Sequence, residues 1–327
     1  MSKVGPAQPD VLDRIRSACK RVAERARFVR IEQDQIPRLA VKLLEHTALT
    51  STYDLEHHFL GEASETLAYI VTLDAVNFGS GWFPHLAKRP GMSGYFTIAS
   101  SLADHFRADG PLDAEALSCI TPGACAGIFG QDMAKAPIAE LMVLFARAWN
   151  DLGRHLLGCF DGRFERLIEA AGGSAARLVE IVSAQPLFRD VATYAGFEVP
   201  LFKRAQILAS DLALAFGGAG FGRLDDLDRL TIFADNLVPH VLRLEGALTY
   251  DADLLARIER GVRIEAGSVE EIEIRACAVR AVACVADHLK RAGRPVTERC
   301  LDIALWTHGQ HPDIKEEPRH RTRTPFY

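Results

Sequence analysis

The sequence predicts an all-α protein, one helical domain spanning residues 1–327 with at most minor short strands. Amphipathic runs with apolar residues at helical spacing cover most of the chain. Strand signals are few and short, and nowhere do strands and helices alternate as a parallel sheet requires. No repeat period and no long linker marks a boundary.

The elements follow in order. "DVLDRIRSACKRVAERAR" places Val11, Ile15, Ala18 and Val22 on one stripe, with Asp10 as its N-cap. Helical spacing recurs in "IPRLAVKLLEH", "ASETLAYIVTLDAVNF", "APIAELMVLFARAWNDLG", "SAARLVEIVSAQ" and "FKRAQILASDLALAF". "SVEEIEIRACAVRAVACVADHLKRAG" opens with Ser268 and Glu271 at capping-box spacing. "RFVRI" and "GFEVPLF" are the strand candidates. The tail "EEPRHRTRTPFY" is charged, and its aromatic finish argues for docking rather than fraying.

Composition narrows the function. Lys and Arg total 38 against 43 Asp and Glu, a net charge of −5, which argues against a broad nucleic-acid face but leaves room for one basic pocket. The seven cysteines are scattered without a CxxC, so neither a disulfide framework nor a zinc ribbon is indicated. The first residues lack a signal-type apolar core and no run approaches membrane-spanning length, so a reduced, cytoplasmic chain is expected, with no membrane partner.

Several motifs read as ordinary structure. "FGGAGFG" (216–222) does not fit a phosphate-loop spacing and reads as a helix-ending turn. Asp225, Asp226 and Asp228 read as solvated acids capping the next helix, a divalent cation being the alternative. His46, His57 and His58 do not suit a shared metal, because adjacent side chains point opposite ways.

Three segments resist that reading. In "YIVTLDAVNFGSGWF", Asp74 and Asn77 are three apart on an apolar helix, with Phe78 beside them. Such a face suits a flat, hydrogen-bonding ligand such as a base; an internally satisfied buried pair is the equal alternative. In "VPLFKRAQILASDL", Pro200 precedes a helix whose first turn carries Lys203 and Arg204, two cations that oppose the dipole unless an anion or carboxylate lies there. In "LTIFADNLVPHVLRL", Asp235 sits among Leu230, Ile232, Phe233, Ala234, Leu237 and Val238. Pro239 suits a new helix start, where backbone N–H groups keep a carboxylate ionised. A charged carboxylate in an apolar pocket stabilises a cationic transition state; a structural salt bridge is the other reading.

These segments, with "YDLEHHF", "TLDAVNFGSGWFP", "MSGYFTIASSL", "EEIEIRA" and the ending "LWTHGQHP…HRTRTPFY", run in one order from about residue 50 to the C-terminus. In that ordered combination the chain resembles the queuosine salvage family, the queuosine 5′-phosphate N-glycosylase/hydrolases. The resemblance implies an all-α fold like that of DNA glycosylases. It also implies hydrolysis of the N-glycosidic bond of queuosine 5′-phosphate, releasing queuine, with no metal or organic cofactor and no intact nucleic acid. By motif position it makes Asp235 the catalytic carboxylate and Lys203 its partner. It places His58, Asp74, Asn77, Phe78, Phe233, Asn236 and His240 around the substrate. The chain departs from the family pattern at Asn236, usually aromatic, and at Gly79, usually cysteine; "GIFGQD" lacks the family's arginine. A metal-dependent nucleoside hydrolase using Asp225, Asp226 and Asp228, a non-catalytic module that sequesters a modified base, and a base-excision enzyme are the competing readings.

Overall fold

The computed structural model describes residues 9–46 and 52–327, without the His46 side chain. The leader-free reading of residues 1–8 and the reading of His46 therefore lie outside the described residues. The described chain forms fifteen α-helices. They are α1 (Val11–Ala23), α2 (Ile36–His46), α3 (Ala63–Ala75), α4 (Gly94–Asp109), α5 (Ala114–Cys119), α6 (Pro122–Phe129), α7 (Ala136–Cys159) and α8 (Phe164–Glu169). Then come α9 (Ala175–Val182), α10 (Lys203–Ala215), α11 (Val238–Leu244), α12 (Ala252–Glu259), α13 (Val269–Arg291), α14 (Glu298–His308) and α15 (Pro312–Glu316). The mostly-α class expected from periodicity is the class observed. Among the described residues no helix is long and apolar enough to cross a membrane.

The strands are four short pieces in two antiparallel pairs: β1 (Val29–Ile31) with β4 (Leu248–Tyr250), and β2 (Val191–Tyr194) with β3 (Phe197–Pro200). β1 and β3 fall inside the two predicted strand candidates; β4 and β2 are partners the sequence did not announce. β2 and β3 turn through Ala195 and Gly196, both at positive φ, as a tight two-residue hairpin requires.

Local chemistry accounts for the helices. Asp10 Oδ1 accepts the N–H groups of Leu12 and Asp13, each at 3.0 Å, capping α1 as predicted. The α1 stripe Val11, Leu12, Ile15, Cys19 and Val22 is buried, and α1 packs on α13. α5 lies along α7 at Gly153, where the backbone of Ala114 and Ser118 fills the space a side chain would need. "FGGAGFG" is the predicted turn, with Gly217, Gly218 and Gly220 at positive φ after α10 ends.

Two capping readings need correction. Ser268 Oγ accepts the Glu271 N–H at 3.2 Å, but Glu271 Oε2 takes the Gly267 N–H rather than that of Ser268. The box is half formed because Glu271 also faces Arg275, Nη1 to Oε1 3.4 Å. Asp226 caps not the next helix but α9, taking the N–H groups of Ala175 and Ala176 at 2.5 and 3.1 Å and the Ser174 hydroxyl at 2.9 Å.

α13 is the central helix, packed on α1, α2, α11 and α14. Its Glu273 is fully buried, yet Oε2 accepts the N–H groups of Arg27, Phe28 and Val29 at 2.9, 2.6 and 3.2 Å. Oε1 takes the Tyr194 hydroxyl at 2.8 Å. One carboxylate thus satisfies the turn into β1 and ties the β2–β3 hairpin to the core. Removing it leaves three backbone donors unpaired, each costing on the order of 1 kcal/mol or more, while the Tyr194 hydroxyl keeps only the Arg25 carbonyl. We expect Glu273→Ala to lose at least about 3 kcal/mol of stability in urea unfolding, with Glu273→Gln losing less.

Candidate active site

A cavity of about 730 Å³ opens where the ends of α3, α4, α10, α11 and α14 meet the C-terminal tail. Its wall carries Asp235, Lys203, Asn77, Phe78, His58, Phe233 and Asn236 from the candidates above. Asp74 and His240 do not line it.

Asp235 lies at the end of a buried, irregular stretch, residues 230–237, that leads into α11. Its Oδ1 accepts the N–H groups of Leu237 and Val238 at 2.7 and 3.1 Å. These are orphan donors of the first turn, so the helix end holds the carboxylate in place, as the proline had suggested. The other oxygen, Oδ2, takes part in none of the described hydrogen bonds. No ion pair to Asp235 forms among the described residues, which leaves the structural salt bridge without a partner.

Lys203 starts α10. Its Nζ donates to the Asn77 carbonyl at 3.3 Å. Burial, with neighbouring Arg204, lowers its pKa, while the fields of Asp235, Asp74 and Asp302 oppose that. At this first turn a carboxylate takes a backbone N–H, and the Arg204 guanidinium meets carbonyls rather than an anion. Asp190 Oδ2 takes the Lys203 N–H at 3.2 Å, and Arg204 reaches the carbonyl end of α3, Nη1 to Ala75 O at 2.5 Å and to Asp74 O at 3.3 Å. Arg204 also bonds the Leu187 carbonyl and packs between Phe78 and Phe188. The negative end of one helix dipole thus absorbs the charge at the positive end of another.

The shared helical face of Asp74, Asn77 and Phe78 is a correction. α3 stops at Ala75, so Asn77 and Phe78 lie beyond its last turn. The Asn77 amide donates to Asp74 Oδ1 at 3.0 Å, the internally satisfied pair. Asp74 is fully buried behind it, its Oδ2 without a partner, and burial together with Asp211 pushes its carboxyl well up. His240 is also turned away: its Nε2 meets the Ile314 carbonyl at 2.9 Å, and burial lowers it to about 4. His57 and His58 do diverge; His57 stacks on Phe96, whereas His58 Nε2 meets the Tyr95 hydroxyl at 2.8 Å on the cavity wall.

Sequence reasoning missed two groups on this wall. Asp211 and Asp302 are both raised to about 7, mainly by burial. Asp302 Oδ1 accepts the Phe233 N–H at 2.8 Å. The second group is cationic: Lys88, Lys315, Arg319 and Arg321 converge on the cavity without an ion pair among the described residues, where Arg319 Nε and Nη1 are also buried and unpartnered. Burial lowers all four, and for Lys88, Lys315 and Arg319 so does neighbouring positive charge. The signal for it was present in part, since Arg319 and Arg321 alternate in an extended tail while His320 points inward. Tyr327 also reaches the wall, its carbonyl held by the Gly79 N–H at 3.1 Å, so the tail docks as expected. Among the described residues no three His, Cys, Asp or Glu side chains gather as a metal-binding group.

A helical fold whose cavity is lined by a helix-capped aspartate, a lysine and four further cations without an ion pair among the described residues has the layout of an enzyme acting on a small anionic substrate. The chain matches the family model described as "Queuosine salvage protein" over residues 57–327, and it belongs to that family. It is 40% identical over 315 residues to a queuosine 5′-phosphate N-glycosylase/hydrolase of Sphaerobacter thermophilus, covering 94% of this chain and 96% of that one. A mouse protein of the same name is 30% identical over 95% of this chain and 98% of its own. One from Dictyostelium discoideum is 33% identical over 80% and 78%.

The Asp302 environment sets a pH dependence. The folded state holds this proton more tightly than the unfolded chain does, from 3.8 up to about 7. Its contribution to stability is therefore fullest below about pH 4 and declines as pH rises toward 7. Asp302→Asn cannot ionise and keeps an acceptor for the Phe233 N–H. We expect it to gain stability over the parent between about pH 5 and pH 8, by at most about 3 kcal/mol at roughly 1.4 kcal/mol per unit over the two units up to pH 7. Thermal melts of both proteins at the two pH values check this; a difference that ignores pH would mean that charging Asp302 costs nothing.

Proposed function

We propose that this chain hydrolyses the N-glycosidic bond of queuosine 5′-phosphate to release queuine, with Asp235 and Lys203 as the catalytic pair. The observation that carries the reading is the state of Asp235. One oxygen is fixed by two backbone N–H groups, the other has no hydrogen-bond partner among the described residues, and the group faces a cavity large enough for a nucleotide.

The chemistry explains why such a group is needed. A purine can be protonated at N7 to leave more easily; a 7-deazaguanine has carbon there. The burden moves to the ribosyl oxocarbenium ion formed as the C1′–N9 bond breaks. A preorganised carboxylate in a water-poor site stabilises that cation. Asp235 acts either through its field or by bonding C1′, and in both cases water finally adds to C1′, leaving ribose 5-phosphate. The departing base takes up a proton, for which Asp211 and Asp302 on the same wall are the available carboxyl donors. Lys203 balances Asp235 and orients the attacking water. Asn77, Phe78, His58, Phe233 and Asn236 line the base end; Asp74 and His240 act from behind the wall. Lys88, Lys315, Arg319 and Arg321 receive the 5′-phosphate, whose charge relieves their mutual repulsion.

Three measurements test this reading. Asp235→Asn keeps the shape and removes the charge. Its turnover is expected to fall about a hundredfold or more while queuosine 5′-phosphate still binds; full activity would end the assignment. Arg319→Ala should raise KM for queuosine 5′-phosphate by roughly 10- to 100-fold, the worth of a charge-assisted hydrogen bond, and leave the unphosphorylated nucleoside unaffected. Equal losses on both substrates would move the phosphate elsewhere. Turnover is expected to survive excess chelator; activity that falls and returns with a divalent cation would favour the metal-dependent reading.

A further inference from the structure

Asp235 and Lys203 come from chain segments with no regular pairing between them, yet one buried side chain touches the support of both. Arg275 of α13 is 2% exposed. Its Nε donates to the carbonyl of Ala234, the residue before Asp235, at 2.9 Å. Its Nη1 and Nη2 donate to Asp190 Oδ1 and Oδ2 at 3.0 and 2.6 Å, a fork on one carboxylate. Asp190 in turn holds the turn that launches α10. Its carbonyl takes the N–H groups of Leu201 and Phe202, and its Oδ2 takes that of Lys203. Phe202 sits there at φ 46, a left-handed conformation that a buried phenylalanine adopts only when its surroundings hold it. The Tyr327 ring, on the cavity wall, covers the Arg275 guanidinium at 4.5 Å.

We infer that Arg275 is a positioning residue for catalysis, fixing Asp235 and Lys203 relative to each other through Ala234 and Asp190. The inference rests on the proposed roles of those two residues. The geometry separates it from a general core ion pair, because each donor of the guanidinium has a distinct task. Nε sets the backbone register of the stretch carrying Asp235, and the fork sets the turn carrying Lys203. The weak Nη1 contact with Glu271 Oε1, at 3.4 Å, touches neither the Asp235 stretch nor the Lys203 turn. Lysine keeps the charge but cannot make the fork and the Ala234 bond together. A misplacement of about 1 Å far from the reacting atoms is enough to cost up to a hundredfold in rate.

The test compares Arg275→Lys, Asp190→Asn and Glu271→Gln in the full-length chain with queuosine 5′-phosphate. Arg275→Lys is expected to lose about tenfold or more in kcat, while queuine binding measured by calorimetry stays within about threefold. Asp190→Asn should behave likewise, and Glu271→Gln should turn over as the parent does. In an Asp235→Asn background, Arg275→Lys should cost clearly less than it does alone, because both act through one carboxylate. The inference fails if folded Arg275→Lys and Asp190→Asn turn over fully, if their losses add in the double variant, or if both variants unfold. A fully active Asp235→Asn enzyme would remove instead the reading beneath it.

Discussion

The structure depends on one constraint: residues 230–237 are buried without being helix or strand. A buried backbone must pair its N–H and C=O groups, and an isolated extended stretch has no ladder to supply partners. Here three helices each send one polar side chain. Gln206 of α10 accepts the Thr231 N–H at 2.9 Å, Asp302 of α14 accepts that of Phe233, and Arg275 of α13 donates to the Ala234 carbonyl. Arg16 of α1 reaches the Arg229 carbonyl at 2.5 Å. A helix in this place would need none of them. The irregular chain draws three polar groups, Gln206, Arg275 and Asp302, into the core, and in doing so fastens three helices to one point.

The consequence is electrostatic. Asp211, Asp235 and Asp302 line the cavity with Asp74 buried behind its wall, and burial raises Asp74, Asp211 and Asp302. Asp235 differs in having two backbone donors and a helix start behind it. The tail brings Arg319 and Arg321 to the same cavity, and Asp235 lies near enough to act on Arg319. A ligand that is cationic in its transition state at one end and anionic at the other would meet complementary fields at both.

Much of the fold was legible in the sequence because its determinants are local. Asp10, Ser268 and the period of the apolar residues each act within a turn or two, and α2 begins and ends where "IPRLAVKLLEH" does. Pro239 announced the start of α11 and with it the setting of Asp235. What was not legible depends on distance. Asp226 caps a helix about fifty residues earlier in the chain, which no spacing rule anticipates. The Asp74–Asn77 face failed because α3 stops at Ala75, one turn short of where its apolar run continues. Lys88, Lys315, Arg319 and Arg321 converge from three separate places, and single cations on exposed segments look like ordinary surface until the tail is folded back.

The location of the cavity has a general cause. Inside an α-helix every backbone polar group is already paired, so a helical protein has free backbone donors and acceptors only at helix ends. The groups around this cavity sit at such ends. Asp235 takes the free N–H groups of α11, Arg204 and Lys203 take carbonyls at and beyond the end of α3, and Asp190 takes the N–H that opens α10. Each side chain is held by a rigid helix yet faces a gap between helices. Charged groups gain from these ends what water would otherwise provide, so they tolerate a dry site in which their fields are strong. The same polar groups that make helix ends costly to bury are what hold a charged site together here.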